Sequence, residues 1–444
     1  LSQPALLIGI MSCIGLIALK RPFHKIMTGT LKPILGYLML AAGAGVIVSN
    51  LDPLGKMIEH GFHITGVVPN NEAIVAVAQK VLGVETMSIL VVGLLMNLCI
   101  ARFTKFKYVF LTGHHSLFMA CLMSAVLGTA GLSGMELILV GGFLMGAWSA
   151  ISPAIGQSYT SKVTDGDEIA IGHFGSLGYY LSAWVAKYVG KAEDSTEDIE
   201  IPEKWGFLRD STLSTALTMI VFYLIAAFAA GSEFVATLSG DMSPYLYAVM
   251  SAMNFAVGVT IVYSGVRMIL GDLIPAFQGI ATKIIPNAIP AVDCAVFFTY
   301  APTAVVLGFL SSFIGGIIGM LILGAVGGVL IIPGLVPHFF CGATAGIYGN
   351  ATGGRRGAAV GAFLNGLAIT FLPALALPVL GQLGFQNTTF GDADFAVMGL
   401  VLGNAYEWVG MAGIYGIVAI AALVLIIPNF IKTKGKVINY VEED

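Results

Sequence analysis

The stretch that decides the fold runs from Gly271 to Thr303. It reads Gly271-Asp-Leu-Ile-Pro275, then Pro286, then Pro290-Ala-Val-Asp293-Cys294-Ala-Val-Phe-Phe298, then Tyr300-Ala-Pro302-Thr303. It is apolar enough for a membrane, yet prolines 275, 286, 290 and 302 cut it. Each proline removes a backbone donor and breaks a helix, and in hydrocarbon the freed carbonyls need protein or a wet cavity as partner. Asp293 stands in the middle. A charge at a helix centre costs about 2.5–3.5 kcal/mol on insertion scales, so such residues face a bundle interior or a pathway. Broken hydrophobic segments around a buried carboxylate point to a transporter binding site. The plainer alternative is that Asp293 only caps a helix.

Composition decides the solvent. Of 444 residues, 57% are hydrophobic and 10% charged, with a mean hydropathy of +0.90; soluble domains carry about 25% charged residues. The apolar runs are too long and solid for an outer-membrane barrel, and predict an all-α polytopic membrane protein. Fifty-six glycines predict close helix packing and many breaks. No large basic patch accompanies the net charge of −4, which argues against a nucleic-acid partner. The cysteines at 13, 99, 121, 294 and 341 show no metal-ligand spacing and read as packing residues. Neither a metal nor a cofactor is expected. The chain opens on Leu1, and a further amino-terminal segment is expected before it.

Spans are predicted near 5–19, 33–49, 86–101, 108–127, 134–151, 212–231, 245–269, 303–332, 357–380 and 411–431. Broken, re-entrant segments are predicted at 271–302, 333–352 and 385–410. One long polar region, 153–210, carries an acidic run from Glu193 to Glu200 before Pro202. With the first basic loop inside, nearly all Lys and Arg fall on the same side, which puts the carboxyl terminus in the cytoplasm. Residues 106–125 and 330–347 both place histidine just inside an apolar run, and 25–46 echoes 265–286. These echoes suggest two related halves, about 5–152 and 245–380, with a site at their interface. Chance similarity in a Gly/Leu-rich chain is the competing explanation.

Four polar groupings lie at or near membrane depth: Pro69-Asn70-Asn71-Glu72, Gly113-His114-His115-Ser116, Ile171-Gly172-His173-Phe174-Gly175, and Asp293. The first is also an ordinary helix-starting turn, and His115 reads as a histidine bonded to a backbone carbonyl. Together these groups suit a hydroxyl-rich small molecule, with carboxylate acceptors, amide and imidazole donors, and an aromatic face. No phosphate-binding loop of the G-x-x-x-x-G-K-[ST] type appears, so direct nucleotide hydrolysis by this chain is not expected.

At these residues the sequence resembles the ascorbate-type EIIC component of the bacterial phosphoenolpyruvate-dependent sugar phosphotransferase system. The motifs are Leu111-Thr-Gly-His114, Val163-Thr-Asp-Gly166 with Ile171-Gly-His173, Ala291-Val-Asp293-Cys294-Ala, Leu330-Ile-Ile-Pro-Gly-Leu-Val-Pro337, and Lys187–Pro202. The resemblance runs nearly end to end. It implies a homodimer in the bacterial inner membrane, each protomer having about eleven spans arranged as a scaffold and a mobile core that holds the sugar. It carries sugar contacts onto His114, His173 and Asp293 with identity. At two other contact positions the family pattern has glutamine where this chain has Phe118 and Phe174, and in a third segment Thr-Tyr where it has Asn71-Glu72.

The resulting expectation is a sugar-translocating subunit that imports ascorbate, or a related sugar acid or polyol. A phosphocysteine on a separate EIIB protein, itself charged by EIIA, would phosphorylate the cargo, and this chain would carry no phospho-acceptor of its own. The first alternative is the same machine working on a neutral pentitol or hexitol. The second is a proton-coupled secondary transporter using Asp293 or Glu72. A channel is weaker, because nothing suggests a ring of charges or a carbonyl filter.

Overall fold

The computed structural model describes residues 4–63, 66–69, 71–166, 169–199, 211–381 and 388–430. Asn70, the 201–210 end of the polar region, residues 385–387 and the basic tail from 432 to 436 therefore lie outside the described residues. So do the side chains of 72–82, Glu72 among them.

The chain is helical almost throughout. In order it forms α1 (Pro4–Ala18), α2 (Phe23–Phe62), β1 (Val68–Pro69), α3 (Asn71–Phe103), β2 (Tyr108–Phe110), α4 (Gly113–Thr129) and α5 (Gly134–Ile155). There follow α6 (Gln157–Val163), β3 (Ala170–Ile171), α7 (Ser176–Val189), α8 (Ser211–Ala230), α9 (Ser232–Ser239) and α10 (Pro244–Lys283). The last elements are β4 (Ile289–Val292), α11 (Pro302–Ala325), α12 (Leu335–Gly381), β5 (Thr388–Thr389), α13 (Ala393–Val409) and α14 (Met411–Ile426). Among the described residues seven helices are long and apolar enough to cross a membrane, and α8 with α9, bent by 117°, offers an eighth. Leu31, Leu35 and Leu38 of α2 and Ile314, Ile318 and Leu321 of α11 are exposed at helical spacing, an apolar exterior suited to lipid. This is an all-α polytopic membrane protein.

The breaks match the prolines only in part: Pro286 and Pro290 lie in the non-helical stretch between α10 and α11, and Pro302 opens α11. α10 runs through Pro275 to Lys283, so the break expected from 271 starts only after the helix has ended. Proline inside a membrane helix is tolerated because neighbouring helices and local adjustment satisfy the carbonyl it frees. The segment expected to be broken at 333–352 is mostly helical as well. It forms the first arm of α12, which doubles back at Gly353 and Gly354, the latter at φ +59°, where a side chain would strain the backbone. The two arms, 335–352 and 355–381, pack so tightly that a Cβ on Gly349 would lie 2.4 Å from the Gly357 carbonyl oxygen. Likewise 393–409, within the third expected break, is helix α13.

Glycine sets the closest contacts between helices. α2 and α10 run antiparallel with Gly36 against Gly265 and Gly43 against Gly258, each pair backbone to backbone. The seven-residue spacing keeps both contacts on one stripe of each helix, as small-residue packing in membranes requires. Lys32 Nζ and Asp272 Oδ2, 3.5 Å apart, join the same two helices. The acidic run is not a free tail. Glu197 accepts from the backbone amides of Thr303 and Ala304 at the start of α11, and the Asp194 carbonyl accepts from the Arg355 amide in the α12 hairpin. A carboxylate at a helix amino terminus is favoured by the unpaired amides and the helix dipole.

Candidate functional site

Five very short parallel strands organise the centre, a feature absent from the sequence expectation. β2, β4 and β3 form one sheet with β4 in the middle, and β1 pairs with β5 in another. The first sheet is almost wholly buried, which suits its apolar sequence, Tyr-Val-Phe, Ile-Pro-Ala-Val and Ala-Ile. Pro290 occupies the central strand without leaving a gap. Ile289 N–H bonds to Lys107 and the Ala291 carbonyl to Leu111, so alternation turns the Pro290 nitrogen towards β3, ahead of its first paired residue. Each strand ends within a few residues of a polar side chain: β1 at Asn71, β2 at His114 and His115, β3 at His173, β4 at Asp293, and β5 at Asp392 and Asp394. Helical turns begin at the same places, so the amino ends of α3, α4, α7, α13 and the 3-10 turn Cys294–Thr299 gather here.

Asp293 does cap a turn, the plainer of the two readings, and its second oxygen faces a histidine. Its Oδ1 caps the 3-10 turn by accepting from Ala295 N–H at 3.1 Å, while Oδ2 lies 3.4 Å from His114 Nε2. His114 Nδ1 in turn meets the Tyr37 hydroxyl at 3.1 Å, so α2 reaches into the site. The Asp293 side chain is only 9% exposed, whereas that of His114 is 38% exposed. A cavity with room for about one water lies beside Asp293, Tyr37, Val296 and Thr112, and the buried Thr112 hydroxyl has no hydrogen-bond partner.

His173 is buried and held firmly. Its Nδ1 accepts from Gly175 N–H at 3.1 Å and meets the Tyr179 hydroxyl at 2.8 Å, which puts the ring proton on Nε2. His115 lies against it, tilted by 46° with centroids 3.7 Å apart, and its Nδ1 accepts from the Phe174 backbone N–H rather than donating to a carbonyl. The ligating atoms of His173, Asp293 and Cys294 lie within 4.8 Å of one another, as do those of His115, His173 and Asp392. The second set is poorly disposed to hold a cation, because both Nδ1 atoms are engaged as acceptors and the Asp392 oxygens already take other protons.

The remaining expected residues divide. Phe118, 8% exposed, makes a T-shaped contact with His114 with centroids 5.7 Å apart, so an aromatic ring borders that histidine. Phe174 is completely buried, stacked on Phe110 at 4.6 Å and packed against Phe395. It is core, adjacent to the site without lining it. Asn71 is spent on the chain itself: its Nδ2 donates to Asp392 Oδ2 at 2.6 Å, and its Oδ1 accepts from Gly391 N–H at 2.9 Å.

Sequence reasoning missed Asp392 and Asp394. Asp394 is fully buried and accepts from Ser176 Oγ at 2.8 Å, Leu177 N–H at 3.0 Å and Trp148 Nε1 at 3.3 Å. It thereby pins the start of α7, just past His173, to the start of α13. The available signal was Gly391-Asp-Ala-Asp394, two acids entering an apolar helix, a pattern that also reads as a polar turn.

A multi-pass helical membrane protein with broken backbone around buried carboxylates and imidazoles is, as a class, a membrane permease. The family comparison is specific: residues 1–394 match the family described as the PTS system sugar-specific permease component, and the chain belongs to that family. The chain is also similar to a Mycoplasma pneumoniae protein named as an ascorbate-specific PTS system EIIC component. The two are 28% identical over 412 residues, which cover 79% of this chain and 61% of the relative. The chain thus spans about three fifths of the length of that curated relative.

Proposed function

We propose that this protein is the sugar-translocating EIIC subunit of a phosphotransferase system and that its cargo is L-ascorbate. It takes the cargo from outside the inner membrane and presents one hydroxyl on the cytoplasmic side to a phosphocysteine on EIIB, which EIIA recharges. The new O–P bond forms as the S–P bond breaks, so this chain needs only to bind, orient and move its cargo. The observation that carries the reading is the Asp293–His114 pair in the broken centre of a sugar-permease family member. Asp293 Oδ2 accepts a cargo hydroxyl, His114 and the Nε2–H of His173 donate to cargo oxygens, and Phe118 covers a carbon face. The gathered helix amino ends favour the negative charge of ascorbate.

The cavity beside Asp293 is water-sized and too small to hold a sugar as it stands. The proposed reading includes an elevator-like core that moves against a scaffold in a homodimer, and the tight α2–α10 pair suits the scaffold. The Lys and Arg bias supports a cytoplasmic carboxyl terminus.

A neutral pentitol or hexitol is the second reading. Asp293, Asp392 and Asp394 are all buried, and no Lys or Arg is buried among the described residues, which disfavours an anion. Calorimetry of the purified chain against ascorbate, pentitols and hexitols decides between them. Ascorbate binding that weakens in Asp293→Asn is the expected result; pentitol binding without ascorbate binding establishes the second reading, and no binding by any of them rejects the proposed site.

A further inference from the structure

Tyr37 reaches the site from a helix that carries none of its other residues. It stands on α2, one residue after Gly36, whose backbone lies against Gly265 of α10, so the helix contact sets where its ring begins. His114 opens α4, and Asp293 follows β4. Tyr37 is buried and lines the same cavity as Asp293, yet its hydroxyl meets His114 Nδ1 at 3.1 Å. His114 Nε2 is turned the other way, 3.4 Å from Asp293 Oδ2. His115 and Phe118 make T-shaped contacts with the same imidazole, at 4.8 and 5.7 Å between centroids. Such ring contacts hold the plane of the imidazole but do not choose which nitrogen carries its proton.

We infer that Tyr37 is a positioning residue for the substrate site: its hydroxyl donates to His114 Nδ1 and thereby holds the imidazole proton on Nε2, the nitrogen that faces Asp293. Its consequence for the cargo rests on the permease reading. In a neutral imidazole one nitrogen donates and the other accepts, whereas an ionised carboxylate only accepts. A bare Nε2 would set lone pair against lone pair across the 3.4 Å to Asp293 Oδ2, so the proton belongs on Nε2. Nδ1 is then an acceptor, and the donor that reaches it is the Tyr37 hydroxyl. A partner on one ring nitrogen fixes the state of the other in this way. Without the hydroxyl the proton is free to sit on Nδ1, and His114 would offer the cargo a lone pair where an N–H is needed.

Nitrogen NMR of the purified full-length protein, labelled at histidine, reads the ring directly and needs no cargo. The His114 signals are assigned by their loss in His114→Ala, and spectra are taken at about pH 8, where an ordinary histidine is neutral. Wild type should show His114 protonated on Nε2 alone, and Tyr37→Phe should add the form protonated on Nδ1. Calorimetry with ascorbate and a neutral pentitol as probes should show Tyr37→Phe binding about tenfold more weakly while melting close to wild type. In a His114→Ala background the same change should cost no further affinity, which a merely structural role for Tyr37 would not produce. If Tyr37→Phe does not fold, the wild-type ring still decides, because protonation on Nε2 alone leaves the hydroxyl as the donor. A wild-type His114 protonated on Nδ1, or on both nitrogens, would overturn the inference. So would Tyr37→Phe with the wild-type tautomer and affinity, or an equal loss of affinity with and without His114. A wild type that binds neither probe defeats the permease reading, while the ring spectrum still tests the role of Tyr37 by itself.

Discussion

His114 turns its two nitrogens to two different parts of the fold, Nε2 to Asp293 at 3.4 Å and Nδ1 to Tyr37 at 3.1 Å. One imidazole thus ties the carboxylate on the β4 break to helix α2. Removing either Asp293 or His114 alone should weaken cargo binding by about 1.5–3 kcal/mol, the worth of a hydrogen bond to a charged group. Asp293→Asn and His114→Gln should be non-additive, with a coupling of about 0.5–3 kcal/mol in a double-mutant cycle read by calorimetry. Strict additivity would mean that the two groups do not act on the same part of the cargo.

Asp394 should matter for folding before it matters for transport. Asp394→Ala leaves Ser176, the Leu177 amide and the Trp148 indole without their acceptor inside the core. A loss of about 3 kcal/mol or more is expected, visible as a lower melting temperature of the purified protein in detergent. Asp394→Asn keeps one acceptor oxygen and should fall between alanine and wild type.

Phe118 and Phe174 should part company. Phe174→Ala empties a fully buried ring stacked on Phe110 and is expected to cost about 3–5 kcal/mol of stability. Phe118 is also buried but borders His114, so Phe118→Gln should cost less stability than Phe174→Ala while altering the ratio of ascorbate to pentitol affinity. An unaltered ratio would remove Phe118 from the cargo face.

Two glycines test the helix contact. Gly265→Ala would put a Cβ 2.6 Å from the Gly36 carbonyl oxygen, and overpacking of that kind costs about 1–3 kcal/mol. Gly45, also on α2, has nothing within 4 Å of where its Cβ would stand. Alanine there should be neutral or stabilising by up to about 1 kcal/mol, because glycine is the poorer helix former. Equal melting temperatures for the two variants would contradict the α2–α10 packing.

Much of this was legible because hydrocarbon punishes polarity: Asp293 and His114 stand out in apolar sequence, and the structure brings them together with His173 from the long polar region. The helix ends were only partly legible from proline: Pro302 opens α11, but α2 carries Pro33 and Pro53 and α10 carries Pro275 without ending. The short parallel strands gave no period to read, being two to four residues long. Asp392 was hidden because its partners, Asn71 and Cys341, lie 321 and 51 residues away in sequence. Glu197 looked like part of a solvated acidic run, and only the fold reveals that it caps α11.

The most direct measurement is the chemical form of the cargo after uptake. Vesicles containing this protein are given labelled ascorbate outside and phosphorylated EIIB inside, and the internal label is separated by charge. The account predicts a phosphate ester that appears only with phosphorylated EIIB and is lost in Asp293→Asn. Accumulation of unmodified ascorbate without EIIB, abolished by a protonophore, would contradict it and establish a proton-coupled transporter instead.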